Sequence, residues 1–209
     1  MHLDLESTAG RLDALIDLPP GMPRAAAVLA AAHPDEAGSM RSRVLHEAAR
    51  ALTRIGVAVV RFNYRGVGLS AGTFTNGPEE AGDLRAVLDV LAVRYPALSL
   101  WALGYSFGAW LAMTVGAHDR RVEALVGIAP AVERDDFSAL LDCATPKFLI
   151  QAERDDLTPL EAVRRFYGRL PEPRELVVIE GADHSFDGKA SEVGAAIEDL
   201  LGDYRDRLF

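Results

Sequence analysis

The sequence contains the residue types of a nucleophilic site: a serine between two glycines, a histidine on a loop and an acid before a helix. Ser106 lies in GYSFG (104–108), between an apolar run of strand length and an apolar run of helix length. A serine hydroxyl is a poor nucleophile at neutral pH, so it needs a base that is oriented by a carboxylate. A sharp strand-to-helix turn would expose the hydroxyl and direct helix N–H groups at a developing oxyanion. The pattern therefore predicts Ser106 as the nucleophile.

The same five-residue pattern occurs a second time, as GLSAG at 68–72. The chain continues with TFTNGP, whose glycine and proline break a helix, so we interpret Ser70 as a loop residue. The overlapping GVGLSA (66–71) has the form of a dinucleotide fingerprint, but that motif needs a helix to open at once to receive the pyrophosphate. No nucleotide cofactor is therefore expected.

The base should follow the nucleophile along the chain, with the acid between them. Of the five histidines, only His118 and His184 follow Ser106. His118 lies near the end of the helix that Ser106 opens, about 18 Å away at about 1.5 Å per residue. His184 follows the last apolar strand on a glycine-bearing loop, VIEGADHSFDG. We predict His184 as the base.

The acid is expected after the preceding strand, where KFLIQAERDDLTP offers three carboxylates. Glu153 is still on or just past the strand. Asp155 lies at the turn before a helix that the following threonine and proline can start, so it is the predicted acid, with Asp156 as its main rival. Asp183 is adjacent to the base in sequence, which rarely gives the geometry that orients the ring.

Apolar runs of strand length alternate with segments of helical period. The strand candidates are 24–34, 56–66, 98–106, 122–130, 147–153 and 174–182, and the helix candidates are 40–55, 79–94, 107–118, 158–169 and 190–208. The strands are apolar on both faces, which is typical of strands covered by helices on both sides. The alternation predicts an α/β fold with a doubly wound, mostly parallel sheet, and residues 3–18 could add an edge hairpin. Without a linker or repeat, residues 1–209 are expected to form one domain.

Composition and charge limit the partners. The net charge is −9 and no basic stripe is present, which disfavours nucleic acid and anionic membranes. Cys143 is the only cysteine, so an intramolecular disulfide is excluded. With no secretory signal visible and no apolar run near the roughly 20 residues of a membrane span, a cytoplasmic protein without membrane insertion is expected. HEAAR (46–50) lacks the second histidine of a His-Glu-x-x-His zinc motif, so no metal is expected.

Five segments together carry a more specific pattern than the serine motif alone. They are AAHPDEAGSM (31–40), RFNYRGVGLSAGTF (61–74), LGYSFGAWLA (103–112), AERDDLTP (152–159) and GADHSFDG (181–188). Over essentially its whole length the chain resembles the α/β-hydrolase superfamily, above all small lidless bacterial serine hydrolases with a His-Pro oxyanion loop. The resemblance implies Ser106 as nucleophile, Asp155 as acid and His184 as base.

The resemblance also implies an oxyanion hole formed by two backbone N–H groups. One belongs to Phe107, and because Pro34 has no N–H, the other is assigned to Asp35. The loop departs from its relatives, since DEAG replaces a longer stretch with a second His-Pro pair. The Asp35 carboxylate must then point away or pair with an arginine, and His33 is interpreted as structural. The candidate arginines are Arg41, Arg43 and Arg65.

The chain is too short for a large lid. Only sixteen residues separate Pro130 from Lys147, where many such hydrolases insert helices, so a short helix at most and a rather open serine are expected. The predicted function is hydrolysis of an ester or similarly activated acyl bond in a small-molecule substrate, without cofactor, through an acyl-enzyme. Alternatives are a peptidase or thioesterase of the same fold, or a non-catalytic hydrolase-like binding protein. The sequence gives no prediction of oligomeric state.

Overall fold

An eight-stranded sheet lies at the centre of the fold, with helices packed against it. The computed structural model describes residues 1–36 and 38–208. The strands are β1 (His2–Ser7), β2 (Gly10–Asp17), β3 (Ala25–Ala30), β4 (Val57–Phe62), β5 (Ser99–Tyr105), β6 (Val122–Ile128), β7 (Lys147–Ala152) and β8 (Arg174–Ile179). The helices are α1 (Arg43–Arg54), α2 (Pro78–Arg94), α3 (Phe107–Ala117), α4 (Leu160–Tyr167) and α5 (Ala190–Leu208). Short 3₁₀ turns cover Pro34–Glu36 and Ser138–Leu140.

The sheet is mostly parallel, as the sequence predicts. Its strand order is β1-β2-β4-β3-β5-β6-β7-β8. β3 to β8 pair in parallel, whereas β1 and β2 form the expected edge hairpin, in which Ser7 pairs with Gly10 and β2 runs antiparallel to β4. Helix α1 packs against α5 and α2 against α3, which gives the helical layers of a doubly wound fold.

The strands that follow β3 in the chain are added first on one side of it and then on the other. The chain passes from β3 to β4 on one side and later enters β5 on the other side of β3. In open α/β sheets, ligands bind in the crevice beyond the carboxyl ends of the strands at such a switch point. The loop after β3 and the turn after β5 are therefore the segments that the topology places at a functional site.

The core around this point is built from small and branched apolar residues. Every residue of β3 is buried, and four of its six residues are alanines. Alanine favours a helix on propensity, but burial between two parallel neighbours overrides that preference. Strands β4 and β7 are likewise buried along their whole length.

Several predicted elements prove shorter than their patterns. The strand expected over 24–34 ends at Ala30, because the next carbonyl, that of Ala31, accepts the Tyr64 hydroxyl at 2.9 Å rather than a strand neighbour. Helix α1 begins only after Ser42, whose side chain accepts the Leu45 N–H. The segment between β6 and β7 contains a single 3₁₀ turn. Among the described residues, no helix has the length and apolar character needed to cross a bilayer.

Candidate active site

Ser106 occupies a sharp turn between the end of β5 and the start of α3. Its φ and ψ are 53° and −117°, a conformation that a residue with a Cβ adopts only under strain. The flanking glycines make the turn possible. A Cβ on Gly104 would lie 2.0 Å from the Gly108 carbonyl oxygen, and a Cβ on Gly108 would lie 2.4 Å from the carbonyl oxygens of Ala30 and Ala31. A side chain at Gly104 would therefore push α3 away from β5, and one at Gly108 would push α3 away from β3.

A chain of hydrogen bonds leads away from the Ser106 hydroxyl. Its Oγ lies 3.0 Å from Nε2 of His184, and Nδ1 of the same ring lies 2.8 Å from Oδ2 of Asp155. All three side chains are buried. They follow β5, β8 and β7 respectively, so parallel strands deliver residues that are far apart in sequence to one edge of the sheet. The structure thus brings together the three residues that the sequence predicts as the catalytic group.

The turn after β7 decides which of the two adjacent aspartates faces the histidine. Oδ1 of Asp155 accepts the N–H groups of Leu157 and Thr158 at 3.0 and 2.7 Å, and Oδ2 also accepts Nε2 of Gln151 at 3.0 Å. The neighbouring Asp156 is exposed. Only the first of the two carboxylates is therefore fixed by its surroundings and in contact with the ring.

These contacts fix the protonation pattern of the ring. The Asp155 carboxylate already accepts three N–H groups, from Leu157, Thr158 and Gln151, and is best placed to accept a fourth, so the proton between the carboxylate and the ring is assigned to Nδ1 of His184. In the neutral ring, Nε2 is then an acceptor for the serine hydroxyl. Tyr105 supports the same loop, since its hydroxyl donates to the His184 carbonyl at 2.8 Å. Burial raises the pKa of Tyr105, which keeps it a donor.

The loop after β3 is organised by His33. The imidazole Nε2 lies 3.1 Å from Oδ1 of Asn76, and the ring packs edge-on against Phe74 and Phe107. Its Nδ1 accepts the Asp35 N–H at 3.2 Å. These contacts are those of a residue that holds the loop in place, as predicted.

The two predicted oxyanion donors differ in their surroundings. The N–H of Phe107 belongs to the first turn of α3, where N–H groups have no partner within the helix. The N–H of Asp35 instead donates to His33, so it could reach an oxyanion only after that bond is exchanged. The Asp35 side chain is 93% exposed and so faces solvent, while Arg65 pairs with Asp83. An oxyanion hole that includes Asp35 stays a prediction.

Sequence reasoning missed one residue at the serine. Oε2 of Glu36 lies 3.1 Å from the Ser106 Oγ, and its other oxygen lies 2.6 Å from Nη1 of Arg134. The guanidinium also lies 3.4 Å from Asp135. The acidic residue in the shortened DEAG stretch could have indicated a charged side chain near the serine. Nothing in the sequence indicated its partner, because Arg134 lies 98 positions further along the chain.

Comparison with known proteins places the chain in a family. The sequence model of the serine aminopeptidase S33 hydrolases matches residues 38–142, half of the chain. The uncharacterized protein RP471 of Rickettsia prowazekii (strain Madrid E) is 36% identical over 178 residues, which cover 81% of this chain and 75% of that protein. The chain belongs to the α/β-hydrolase superfamily.

Solved structures of other α/β hydrolases are closely similar. An alpha-beta serine hydrolase homologue from Coxiella burnetii superposes with a TM-score of 0.91 at 33% identity, over 96% of this chain and 97% of that one. XC6422 from Xanthomonas campestris, described as an a/b serine hydrolase without lid, gives a TM-score of 0.90 at 34% identity, over 98% and 94% of the two chains. The esterase Est1E from Butyrivibrio proteoclasticus, at 20% identity and a TM-score of 0.83, shares the fold.

The hydrolase shields its serine, although the residues that the structure describes include no helical lid between β6 and β7. The expectation of a rather open serine is wrong, since the exposed fraction of Ser106 is 0%. Glu36 contacts the hydroxyl and is itself 26% exposed, so it lies between the serine and solvent together with its partner Arg134. Trp110 joins α3 to the segment that carries Arg134: its Nε1 donates to the Asp136 carbonyl at 2.9 Å and its ring packs on Phe107.

The depression next to the serine has an acidic rim. Its volume is about 460 Å³, and its floor includes Tyr105 and His184. The charged side chains of its lining are Glu36, Arg154, Asp156 and Asp183. Leu157 adds an exposed apolar side chain. Because Glu36 is paired with Arg134, the remaining charges of the lining are two carboxylates, Asp156 and Asp183, against the Arg154 guanidinium, which leaves a small excess of negative charge.

The other motifs of the sequence lie outside this site. Ser70 accepts the Asp13 N–H at 2.9 Å and donates to the Asn63 carbonyl at 2.8 Å, which joins its loop to β2. The next helix begins only at Pro78, as expected for the glycine-rich stretch. Within residues 1–36 and 38–208, histidine, cysteine, aspartate and glutamate side chains form no group of three that could hold a metal ion.

Proposed function

We propose that this α/β hydrolase is a serine hydrolase that cleaves an ester or similarly activated acyl bond through an acyl-enzyme. The hydrogen-bonded chain from Ser106 through His184 to Asp155, with distances of 3.0 and 2.8 Å, is the observation that carries the proposal. Its elements are a hydroxyl, an imidazole whose Nε2 faces that hydroxyl and a buried carboxylate. This is the set of groups that activates a serine for acyl transfer.

In the proposed reaction, Oγ of Ser106 attacks the carbonyl carbon while its proton moves to Nε2 of His184. Asp155 stabilises the imidazolium that forms. The N–H of Phe107 donates to the tetrahedral oxygen, and Asp35 is the proposed second donor. The imidazolium then gives its proton to the leaving group, which departs as the acyl-enzyme forms. Water attacks the acyl-enzyme by the same route, with the ring again acting as base.

Peptide hydrolysis from an amino terminus is a second candidate, favoured by one observation. The rim carboxylates Glu36, Asp156 and Asp183 could pair with a substrate ammonium group. A matched set of amino-acid p-nitroanilides and p-nitrophenyl esters separates the two activities, because only a peptidase cleaves the less reactive anilide efficiently.

A fluorophosphonate probe tests the proposal directly. Folded wild-type protein should be labelled covalently, and Ser106→Ala, checked for unchanged circular dichroism, should not. Hydrolysis of p-nitrophenyl esters of graded chain length would then report the depth of the acyl site. Absence of both labelling and hydrolysis in folded wild type and in variants that open the site would favour a non-catalytic binding protein.

A further inference from the structure

The hydroxyl of Ser106 has one proton and two neighbours that could accept it. Nε2 of His184 lies 3.0 Å from Oγ, and the Glu36 carboxylate lies 3.1 Å from the same atom. The carboxylate is held there by Arg134 at 2.6 Å, while the Arg134 side chain remains 45% exposed. Catalysis as proposed uses only the imidazole, so the second acceptor needs its own explanation.

Wherever the proton shared by Ser106, His184 and Glu36 is placed, the arrangement is unfavourable for attack by the serine oxygen. If the hydroxyl donates to Glu36, then His184 must donate from both nitrogens, so it already carries the proton it should accept. If the hydroxyl donates to the imidazole, two oxygens face each other at 3.1 Å without a proton between them. If the carboxyl is protonated, it donates to the lone pair that would attack. Glu36 in this position therefore opposes activation of Ser106.

The carboxylate also occupies space that a substrate needs. Ser106 is fully buried, and Glu36 is the partly exposed group on its hydroxyl. An acyl carbonyl can reach Oγ only if the carboxylate is displaced, which requires the side chain to leave its contact with Arg134 or to carry it along. An acyl group with its own carboxylate would in addition meet the negative charges of Asp156 and Asp183 at the rim.

We infer that Glu36 is a specificity-determining residue. Its carboxylate, positioned by Arg134, must be displaced from Ser106 by the acyl group, which slows reaction with every acyl substrate and most of all with one whose acyl group is anionic. The inference rests on the proposed function of Ser106. Arg134 acts through the carboxylate and is a positioning residue.

Variants of Glu36 and of Arg134 distinguish restraint of Ser106 by the carboxylate from a general effect of charge. Glu36→Ala removes a negative charge and Arg134→Gln removes a positive one, yet both should raise the second-order rate of fluorophosphonate labelling. About fivefold is expected, the size of one lost hydrogen bond. The double variant should react no faster than Glu36→Ala, because the arginine acts only through the carboxylate.

A neighbouring ion pair supplies matched controls. Glu133 and Arg165 are exposed, lie 3.3 Å apart and make no hydrogen bond with the serine. Glu133→Ala and Arg165→Gln therefore change the same charges nearby and should leave the labelling rate within error of wild type. Opposite changes in Glu36→Ala and Arg134→Gln, or a loss of activity in the former, would overturn the inference.

A pair of esters of equal chain length tests the substrate charge. Wild type should hydrolyse p-nitrophenyl hexanoate with a higher kcat/KM than mono-p-nitrophenyl adipate, whose acyl group ends in a carboxylate. Glu36→Ala should raise the rate on the adipate ester several-fold more than that on the hexanoate ester. A wild-type preference for the adipate ester that Arg134→Gln abolishes would instead show that the arginine binds the substrate anion, and the inference would be wrong.

The labelling rates also distinguish failure of the inference from failure of the proposed function. Ser106-dependent labelling that is unchanged in Glu36→Ala and Arg134→Gln would reject only the role of the pair. No labelling in folded wild type or in either variant would reject both. Labelling that begins only when Glu36 is removed would support both and show that the restraint is strong.

Discussion

Two groups of charged residues meet at the Ser106 hydroxyl, and they are held in different ways. Asp155 and His184 follow buried strands, are themselves buried and have every contact oxygen or nitrogen assigned to a partner. Glu36 and Arg134 lie on connecting segments and are partly exposed. The first group has one low-energy arrangement, whereas the second can exchange its contacts with solvent at small cost. If the proposed function holds, the chemistry resides in the rigid group and its control in the loosely held one.

Loss of the proposed nucleophile should have the largest effect. Ser106→Ala removes the attacking atom, and turnover of a p-nitrophenyl ester should fall by about 10³-fold or more, since only binding and the oxyanion donors remain. Circular dichroism and the melting temperature should stay near those of wild type. Retention of esterase activity in purified variant protein would show that Ser106 is not the nucleophile.

Exchange of the buried acid should come next. Asp155→Asn keeps the shape but disturbs the hydrogen bond to the ring, so kcat should fall by orders of magnitude, up to about 10⁴-fold. The matched change Asp156→Asn, at the exposed neighbour, should alter kcat by less than about threefold because its charge is screened by water. The reverse ranking of these two variants in steady-state assays would move the acid to Asp156.

A methyl group added at Gly108, in the turn that carries Ser106, should lower the stability of the fold. Gly108→Ala places a Cβ within 2.4 Å of the Ala30 and Ala31 carbonyl oxygens, so urea unfolding should show a loss of about 2–4 kcal/mol or failure to fold. Gly202→Ala, where a Cβ meets nothing within 4 Å in α5, should be neutral or stabilising by up to about 1 kcal/mol. Equal stability of the two variants would contradict the close approach of α3 to β3.

The second glycine-flanked serine should give the smallest effect. Ser70→Ala leaves the Asp13 N–H without its acceptor and the Asn63 carbonyl without its donor, which should cost about 1–2 kcal/mol of unfolding free energy. Fluorophosphonate labelling and kcat should not change once the protein is folded. A change in labelling comparable to that of Ser106→Ala would give Ser70 a catalytic part.

The sequence could predict what depends on periodicity and chain order. Runs apolar on both faces indicated buried parallel strands, and the order serine, acid, histidine located Asp155 and His184 because parallel strands end at one edge. Strand ends were less predictable. The tail of 24–34 is as apolar as the strand before it, yet the Ala31 carbonyl bonds to Tyr64 instead of extending the ladder.

The covering of Ser106 could not be predicted in the same way. Glu36 and Arg134 belong to no periodic segment and are 98 residues apart, so nothing local links them. The direction of the Asp35 N–H likewise depends on the dihedral angles of a three-residue 3₁₀ turn and on which nitrogen of His33 accepts it. These orientations depend on tertiary contacts between a few atoms, and residue types alone do not specify such contacts.

The alanine-rich strand β3 also affects the position of the turn that carries Ser106. Because Gly108 of α3 lies directly against the Ala30 and Ala31 carbonyl oxygens, the main chain of this strand limits how closely the turn at Ser106 can approach the sheet. The position of the Ser106 hydroxyl thus depends on main-chain atoms at the end of a buried strand.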